Sequence, residues 1–191
     1  TSTTVNQLVD AAGKLSQSRK GALIVVDLGS DLRPEDFLYS GITIEAQLST
    51  DLLINLFATD TPLHDGAILV KGNKIISAGV ILPLSRQGIS RYGTRHLAAL
   101  GITERFDRCI CIVVSEETGT ISLANQGKLE RPITSSRLQE LLINLVGNQN
   151  PLGATKSSAN KTTSSQNINT NDNIKTENNS NKSESQNTLL D

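Results

Sequence analysis

The chain has 191 residues, of which 37% are hydrophobic, and its 18 basic and 19 acidic side chains give a formal net charge of −1. It shows no basic stripe or acidic run of the kind that marks nucleic-acid or lipid binding, so we expect no nucleic-acid partner. No stretch approaches the roughly 20 apolar residues of a membrane helix. Cys109 and Cys111 are the only cysteines, which predicts two buried thiols rather than a zinc site.

The composition divides the chain into two segments. Residues 1–147 have the size of one domain with a single core, whereas residues 148–191 consist mainly of Asn, Ser, Thr, Gln and Lys. The second segment buries too little apolar surface to offset its ordering entropy, which predicts a disordered C-terminal tail. Because the chain begins at Thr1 and has no methionine, we expect a processed chain or a fragment.

The hydrophobic spacing predicts helices and strands that alternate along the chain. Helices are expected over about 4–19, after a cap at Ser49 or Thr50, from an N-cap at Thr94, and from a cap at Thr134 to a stop at Gly147. Strands are expected at 22–26, 67–71, 74–82, 108–115 and 120–124. This order predicts an α/β fold with a mixed-strand central sheet flanked by helices.

The first motif that can carry chemistry is His64-Asp65-Gly66, directly before an apolar strand. A carboxylate in such a loop can bind Mg²⁺ or Mn²⁺ or orient a hydroxyl nucleophile, and His64 can add a nitrogen ligand for Mn²⁺ or Co²⁺. Gly66 allows close approach of a ligand to the backbone. The alternative is a simple turn, since Asp-Gly is among the commonest turn dipeptides.

The second motif, Thr94-Arg95-His96, opens a predicted helix. The first turn of a helix presents free N–H groups and a partial positive charge, so basic side chains are disfavoured there unless an anion offsets them. This pattern indicates a phosphate site. The alternative is an ion pair between Arg95 and a nearby carboxylate.

Two further segments are weaker candidates. Ser115 and Glu116 follow the most apolar strand, and ligands of α/β sheets gather beyond strand carboxyl ends. Leu82, in the sequence Leu-Pro-Leu, can form an apolar wall for a flat ring. The alternatives are a polar loop in the first case and a core position in the second.

Four motifs occur in a fixed order, namely PLHDGA at 62–67, LPLS at 82–85, GTRH at 93–96 and VSEETG at 114–119. Together they resemble the diadenylate cyclase (DAC) domain, specifically its membrane-anchored CdaA type, over about residues 5–145. The resemblance implies condensation of two ATP molecules into cyclic di-AMP with release of two pyrophosphates. It also implies a divalent metal, Mn²⁺, Mg²⁺ or Co²⁺, for which His64 and Asp65 are the candidate ligands.

The resemblance also implies roles for individual residues. Asp65, Gly66 and Ala67 would lie at the ribose 3′-hydroxyl and α-phosphate. Thr94, Arg95 and His96 would meet the phosphates. Leu82 would lie at the adenine, and Ser115 and Glu116 would be further nucleotide contacts. Catalysis is expected to depend on Asp65, Gly66, Arg95 and His96.

Each motif occurs once per chain, whereas the implied product is two-fold symmetric, so a homodimer with one ATP per protomer is expected. The membrane-anchored type further implies a cytoplasmic domain with an anchor upstream of Thr1, together with regulatory proteins that the sequence does not identify.

Two positions depart from the family pattern. Leu97 stands where the family usually has an arginine, and Ile81 stands where an aromatic residue often lies beside the adenine. The change at Leu97 raises the alternative of a catalytically weak or inactive ATP-binding regulatory module. A third interpretation is a structural domain in which both polar motifs are only turns and caps.

Overall fold

The fold is described from a computed structural model that covers residues 2–147; the tail expected at 148–191 lies outside the described residues. The helices are α1 (Ser2–Gln17), α2 (Thr50–Leu56), α3 (Thr94–Thr103) and α4 (Ser135–Gly147), and short 3₁₀ turns span Pro34–Asp36 and Pro62–His64. The strands are β1 (Ala22–Asp27), β2 (Ile42–Gln47), β3 (Ala67–Lys71), β4 (Lys74–Val80), β5 (Cys109–Val114), β6 (Ile121–Asn125) and β7 (Lys128–Ile133).

The seven strands form one mixed sheet in the order β2-β4-β3-β1-β5-β6-β7. Strand β1 pairs in parallel with β3 and antiparallel with β5, and the other neighbours are antiparallel. The predicted fold class, a mixed sheet flanked by helices, is confirmed.

Three helices cover one face of the sheet, and one helix covers the other. Residues of β1 alternate between two hydrophobic cores: Ile24 packs in the core that α1, α2 and α4 close, and Val25 packs in the core that α3 closes. Since both faces are covered, the central strands β1 and β5 are buried along their whole length. Helix α3 therefore has to fill one core while its first turn reaches the sheet edge.

Both outer strands are irregular. In β2 the pairing register shifts between Thr43 and Ala46, and in β7 it shifts between the partners of Ile121 and Leu123. Neither strand was predicted, because their sequences lack a continuous apolar run and most of their side chains are exposed or half-buried. Edge strands are identified by their neighbours rather than by their own hydrophobicity.

The predicted helix caps are confirmed at two positions and wrong at one. The Ser49 hydroxyl accepts a hydrogen bond from the Leu52 N–H at 3.2 Å, and the Thr134 hydroxyl accepts one from Arg137 at 3.1 Å. Thr94 was expected to be the N-cap of α3, but Gly93 takes that place in an extended conformation and Thr94 is the first helical residue. The Thr94 hydroxyl therefore lies at the sheet edge without a capping role.

The two cysteines lie on the α3 side of β5 and are fully buried. Burial raises the pKa of the Cys111 thiol well above its ordinary value, with a further contribution from Cys109. Within residues 2–147, no helix combines the length and apolar character that crossing a bilayer requires.

Candidate functional site

The separated motifs converge at one edge of the sheet. Ala22 of β1 pairs with Val114 of β5, and Ile24 pairs with Ile68 of β3, so the start of β1, the start of β3 and the end of β5 lie side by side. The strands that Asp65 precedes and Ser115 follows, β3 and β5, are two strand spacings apart, or about 10 Å. Motifs far apart in sequence thus border one surface.

A cleft of about 610 Å³ opens at this edge, between the first turn of α3, the loop after β5 and strand β7. Its volume suits a small-molecule ligand. Five of the predicted site residues line it, namely Thr94, Arg95, His96, Ser115 and Glu116. Its charged side chains are Arg91, Arg95 and Arg131 against Glu116 and Glu117, a balance of 3 − 2, or one net positive charge.

Arg95 is the central cation of the cleft. Its Nη1 lies 3.1 Å from the Glu116 carboxylate, so the ion pair considered as an alternative is present. The pair is half-exposed and worth little by itself, which leaves Arg95 able to exchange this partner for an anionic ligand. On the other side, a methyl group on Gly21 would lie 2.6 Å from the Arg95 Cζ. Gly21 thus leaves the room in which the guanidinium lies.

His96 is buried in the wall of the cleft. Its Nε2 lies 3.3 Å from the hydroxyl of Ser122, and its ring stacks on Tyr92 with centroids 6.3 Å apart and planes at 25°. Burial lowers the His96 pKa below its ordinary 6.5, and the nearby charges of Arg131 and Arg95 lower it further. These surroundings favour the neutral imidazole, so the positive charge of the cleft comes from its arginines.

The His64-Asp65-Gly66 loop lies beside this cleft rather than in its lining. Asp65 is exposed, and Gly66 has φ +143°, a conformation that side chains rarely adopt. A Cβ on Gly66 would also lie 2.8 Å from the backbone of Gly79 on β4. Gly66 is thus required for close packing of two backbones, in addition to the predicted approach of a ligand.

His64 has one ring nitrogen engaged and one free. Its Nδ1 contacts the carbonyl oxygen of Thr61. Because a carbonyl only accepts hydrogen bonds, Nδ1 is the donor, and the tautomer with this proton keeps its lone pair on Nε2. This is the tautomer that a metal ligand needs, with the second nitrogen held by a backbone acceptor.

The residues expected at the adenine lie near the end of β4. Leu82 is 3% exposed and packs in the α3-side core, together with Ala67. Ile81 is exposed and forms an isolated antiparallel bridge with Tyr39. Bridged residues face the same side, so Tyr39 supplies an exposed ring next to Ile81, where the sequence departs from the family pattern.

Leu97 does not line the cleft. Its side chain is 7% exposed, and its carbonyl accepts a hydrogen bond from Ser85 at 2.9 Å, which ties α3 to the loop after β4. In this chain, the residue at position 97 is therefore a buried position of α3 and adds no charge to the cleft.

Two residues of the site were missed by the sequence analysis. Gly21 was not predicted as a site residue, although a glycine before a fully buried strand is a position where another group can approach closely. Arg131 was not considered, and an isolated arginine in an unpredicted edge strand gives no sequence signal. Only the pairing of β6 with β7 places it at the cleft.

The described side chains can supply only part of the coordination shell of a metal ion. Within residues 2–147, no group of three or more His, Cys, Asp or Glu side chains is arranged to hold a metal ion. His64 and Asp65 offer one nitrogen and one carboxylate, a donor pair that suits Mn²⁺ or Co²⁺ when phosphate oxygens and water complete the coordination.

The chain is thus an α/β domain whose mixed sheet carries a cleft of small-molecule size at one edge. The chain belongs to the DAC family, described as "DisA bacterial checkpoint controller nucleotide-binding", whose family model matches residues 9–129.

Named relatives agree with this assignment. The chain is 47% identical over 131 residues to a "Diadenylate cyclase" of Listeria monocytogenes, covering 68% of this chain and 47% of the relative. It is 41% identical over 141 residues to "Cyclic di-AMP synthase CdaA" of Bacillus subtilis, covering 73% and 50%. The chain thus spans about half the length of these relatives.

Two solved structures share the fold. One is a crystal structure of a double mutant of DacA from Staphylococcus aureus, with 38% identity, a TM-score of 0.68 and coverage of 75% of this chain and 95% of the other. The second is a hypothetical membrane spanning protein from Bacillus cereus, with 43% identity, a TM-score of 0.60 and coverage of 65% and 60%.

Proposed function

We propose that this chain carries the catalytic domain of a diadenylate cyclase, which condenses two ATP molecules into cyclic di-AMP and two pyrophosphates. The observation that carries the proposal is the convergence of Asp65, Arg95 and Ser115 at one sheet edge, although they come from three separate motifs. Relatives at 41–47% identity named for this synthesis support the same chemistry.

In the proposed reaction, the 3′-hydroxyl oxygen of one ATP attacks the α-phosphorus of the other. The new P–O bond forms as the bond to pyrophosphate breaks, and the hydroxyl proton leaves the attacking oxygen. Asp65 orients that hydroxyl and accepts its proton. Asp65 is exposed, and the neighbouring Gly66 has no side chain that would block the nucleotide. Arg95 exchanges Glu116 for phosphate and stabilises the negative charge of the transition state.

The remaining residues bind the nucleotide. Thr94 and Ser115 offer hydroxyl groups in the cleft, and Glu116 holds Arg95 until the ligand arrives. Ala67, the buried first residue of β3, anchors the end of the Asp65 loop. The exposed side chains of Ile81 and Tyr39, above the buried Leu82, form the apolar surface for the adenine.

A divalent metal, Mn²⁺, Mg²⁺ or Co²⁺, fits the donors of His64 and Asp65 and would neutralise charge on the phosphates when bound. The free lone pair on His64 Nε2 supports this assignment.

Catalysis is proposed to require a homodimer. Asp65 is exposed and lies beside the cleft rather than in its lining, so a ribose hydroxyl held at Asp65 can face the α-phosphate of a nucleotide in a second copy. Two such copies related by a two-fold axis would present both ATP molecules with the symmetry of the product. We further propose that the domain is cytoplasmic and belongs to a longer protein anchored in the bacterial membrane, as the "membrane spanning" description of one structural relative suggests.

The inactive ATP-binding module is not favoured. Its motivation was the loss of a positive charge at position 97, but Leu97 is a buried residue of α3 and does not line the cleft.

The test is to incubate the chain with ATP and each of Mn²⁺, Mg²⁺ and Co²⁺, and to measure cyclic di-AMP by mass spectrometry and pyrophosphate by an enzymatic assay. We expect two pyrophosphates per cyclic di-AMP, and product formation that is abolished by Asp65→Asn. Asp60→Asn, which changes another exposed acid shortly before the loop, is the matched control. Absence of product with every metal would overturn the proposal.

A further inference from the structure

Arg131 takes no part in the proposed bond-forming step, yet its side chain lines the cleft together with the first turn of α3. It lies at the register shift of β7: Ile121 pairs with Ile133 and Leu123 pairs with Glu130. Two residues of β7, Arg131 and Pro132, therefore stand opposite Ser122 alone. Such a bulge turns a side chain away from its regular direction and is common beside active sites.

A column of rings supports the Arg131 side chain. The Ser122 hydroxyl contacts His96, the His96 ring stacks on Tyr92, and the Arg131 Cζ lies 5.5 Å from the centre of the Tyr92 ring. This distance is within the range of a cation–π interaction. The other neighbour of the ring is Gly88, where an added Cβ would lie 2.7 Å from Tyr92. Tyr92 is thus fixed between the loop and α3.

The hydrogen-bond donors of Arg131 remain available. Within residues 2–147, no carboxylate lies within 4.0 Å of its guanidinium, whereas Arg95 is paired with Glu116. A cation–π contact needs no N–H donor to be used up, so the N–H groups of Arg131 can still bind a bidentate anion such as phosphate.

The strand order indicates which part of the nucleotide Arg131 meets. Along the sheet edge, the proposed adenine surface follows β4, Asp65 precedes β3, Arg95 lies against Gly21 before β1, Ser115 follows β5, and Arg131 lies on β7. The groups of ATP follow the same order: base, ribose, α-phosphate, then β- and γ-phosphates. The end of the triphosphate chain therefore points toward β7.

We propose that Arg131 binds the β- and γ-phosphates of ATP, and the pyrophosphate that they become, with Tyr92 and His96 as positioning residues. This inference rests on the proposed function for its ATP orientation. It assigns His96 to the support of Arg131 rather than to direct contact with phosphate, because its Nε2 is engaged by Ser122.

The binding test uses isothermal titration of the whole chain with ATP, AMP and inorganic pyrophosphate. Arg131→Gln should weaken ATP and pyrophosphate binding by about tenfold to a hundredfold, the effect of losing a charged hydrogen bond, and should leave AMP binding unchanged. Arg131→Lys should recover only part of the loss, since lysine is not bidentate. Arg137→Gln is the matched control, because Arg137 pairs with Glu130 and Glu140 outside the cleft. This variant should bind all three ligands normally.

The positioning role has its own test. Tyr92→Phe keeps the ring and should keep the wild-type KM for ATP, whereas Tyr92→Leu should raise KM toward the Arg131→Gln value at a similar kcat. Equal KM values for the two Tyr92 variants would overturn the ring's role.

The role of Arg131 and the proposed cyclase activity can be disproved independently of each other. If the wild-type chain makes no cyclic di-AMP, the function fails while the titrations still decide the role of Arg131. If the chain makes cyclic di-AMP but Arg131→Gln binds ATP and pyrophosphate normally, or loses AMP binding equally, the inference alone is overturned.

Discussion

The guanidinium of Arg95 lies against the backbone of Gly21, at a distance that any side chain on residue 21 would obstruct. We expect Gly21→Ala to displace Arg95 and weaken ATP binding by about tenfold, while the melting temperature changes little because the displaced group is the end of a flexible side chain. Titration calorimetry and thermal unfolding measure the two effects. Gly147→Ala, where an added Cβ meets no atom within 4 Å, is the control. Unchanged ATP affinity in Gly21→Ala would show that Arg95 does not need this space.

Leu97 gives a prediction about packing. Leu97→Arg should lower the free energy of unfolding by about 1–3 kcal/mol, because it forces a charged group into a position that is 7% exposed. It should not raise the rate of cyclic di-AMP formation. Urea unfolding and the product assay test this, with Leu97→Met as a volume-conserving control. A large gain in turnover would mean that the absence of the family's arginine lowers the activity of this chain.

The buried His96 predicts a dependence of stability on pH. Since its pKa is lowered in the folded protein, the unfolded chain takes up a proton near pH 6.5 that the folded chain takes up only at lower pH. The free energy of unfolding should therefore fall as pH decreases below about 6.5. His96→Gln removes this titration and should show a shallower fall between pH 7.5 and 5.5 in urea unfolding. Parallel curves for the two proteins would contradict a shifted His96 pKa.

The proposed dimer predicts a dependence on concentration. Cyclic di-AMP formed per mole of protein should fall on dilution, because a single protomer holds one copy of each motif and one ATP. Product assays over a dilution series, combined with sedimentation velocity, compare activity with the dimer fraction. A specific rate that stays constant well below the dimer dissociation constant would exclude this arrangement.

The two thiols of β5 should be unreactive in the native protein. Cys109 and Cys111 are fully buried, and burial raises the pKa of Cys111, so neither access nor thiolate is available to an alkylating reagent. Iodoacetamide labelling followed by mass spectrometry should find no adduct in buffer and two in urea. Rapid labelling in buffer would require β5 to open locally.

The sequence was sufficient where hydrophobic pattern and local chemistry agree. The all-apolar runs that became β1 and β5 and the caps at Ser49 and Thr134 were predicted because each depends on neighbours in sequence. The N-cap at Thr94 was predicted wrongly, because extended Gly93 competes for the same position and threonine preference alone cannot decide between them.

Most of the site depended on tertiary structure. The motifs of Asp65 and Arg95 were found from their residue types, but their proximity depends on the pairing of β1 with both β3 and β5. Arg131 reaches the cleft only through a bulge in a strand that has no clear pattern of its own. The sequence offered an ion pair between Arg95 and a nearby carboxylate as one alternative. Only the structure identifies that carboxylate as Glu116, which lies in the loop after β5.

The irregular outer strands also limit how copies of this chain can associate. Pro132 cannot donate a backbone hydrogen bond, and Glu45 has a left-handed conformation at φ +49°, so neither β7 nor β2 offers a continuous row of donors and acceptors to a second sheet. Edge-to-edge growth into an extended ribbon is therefore disfavoured at both sides. The dimer proposed through the loop-bearing end of the sheet therefore does not have to compete with strand pairing at either edge.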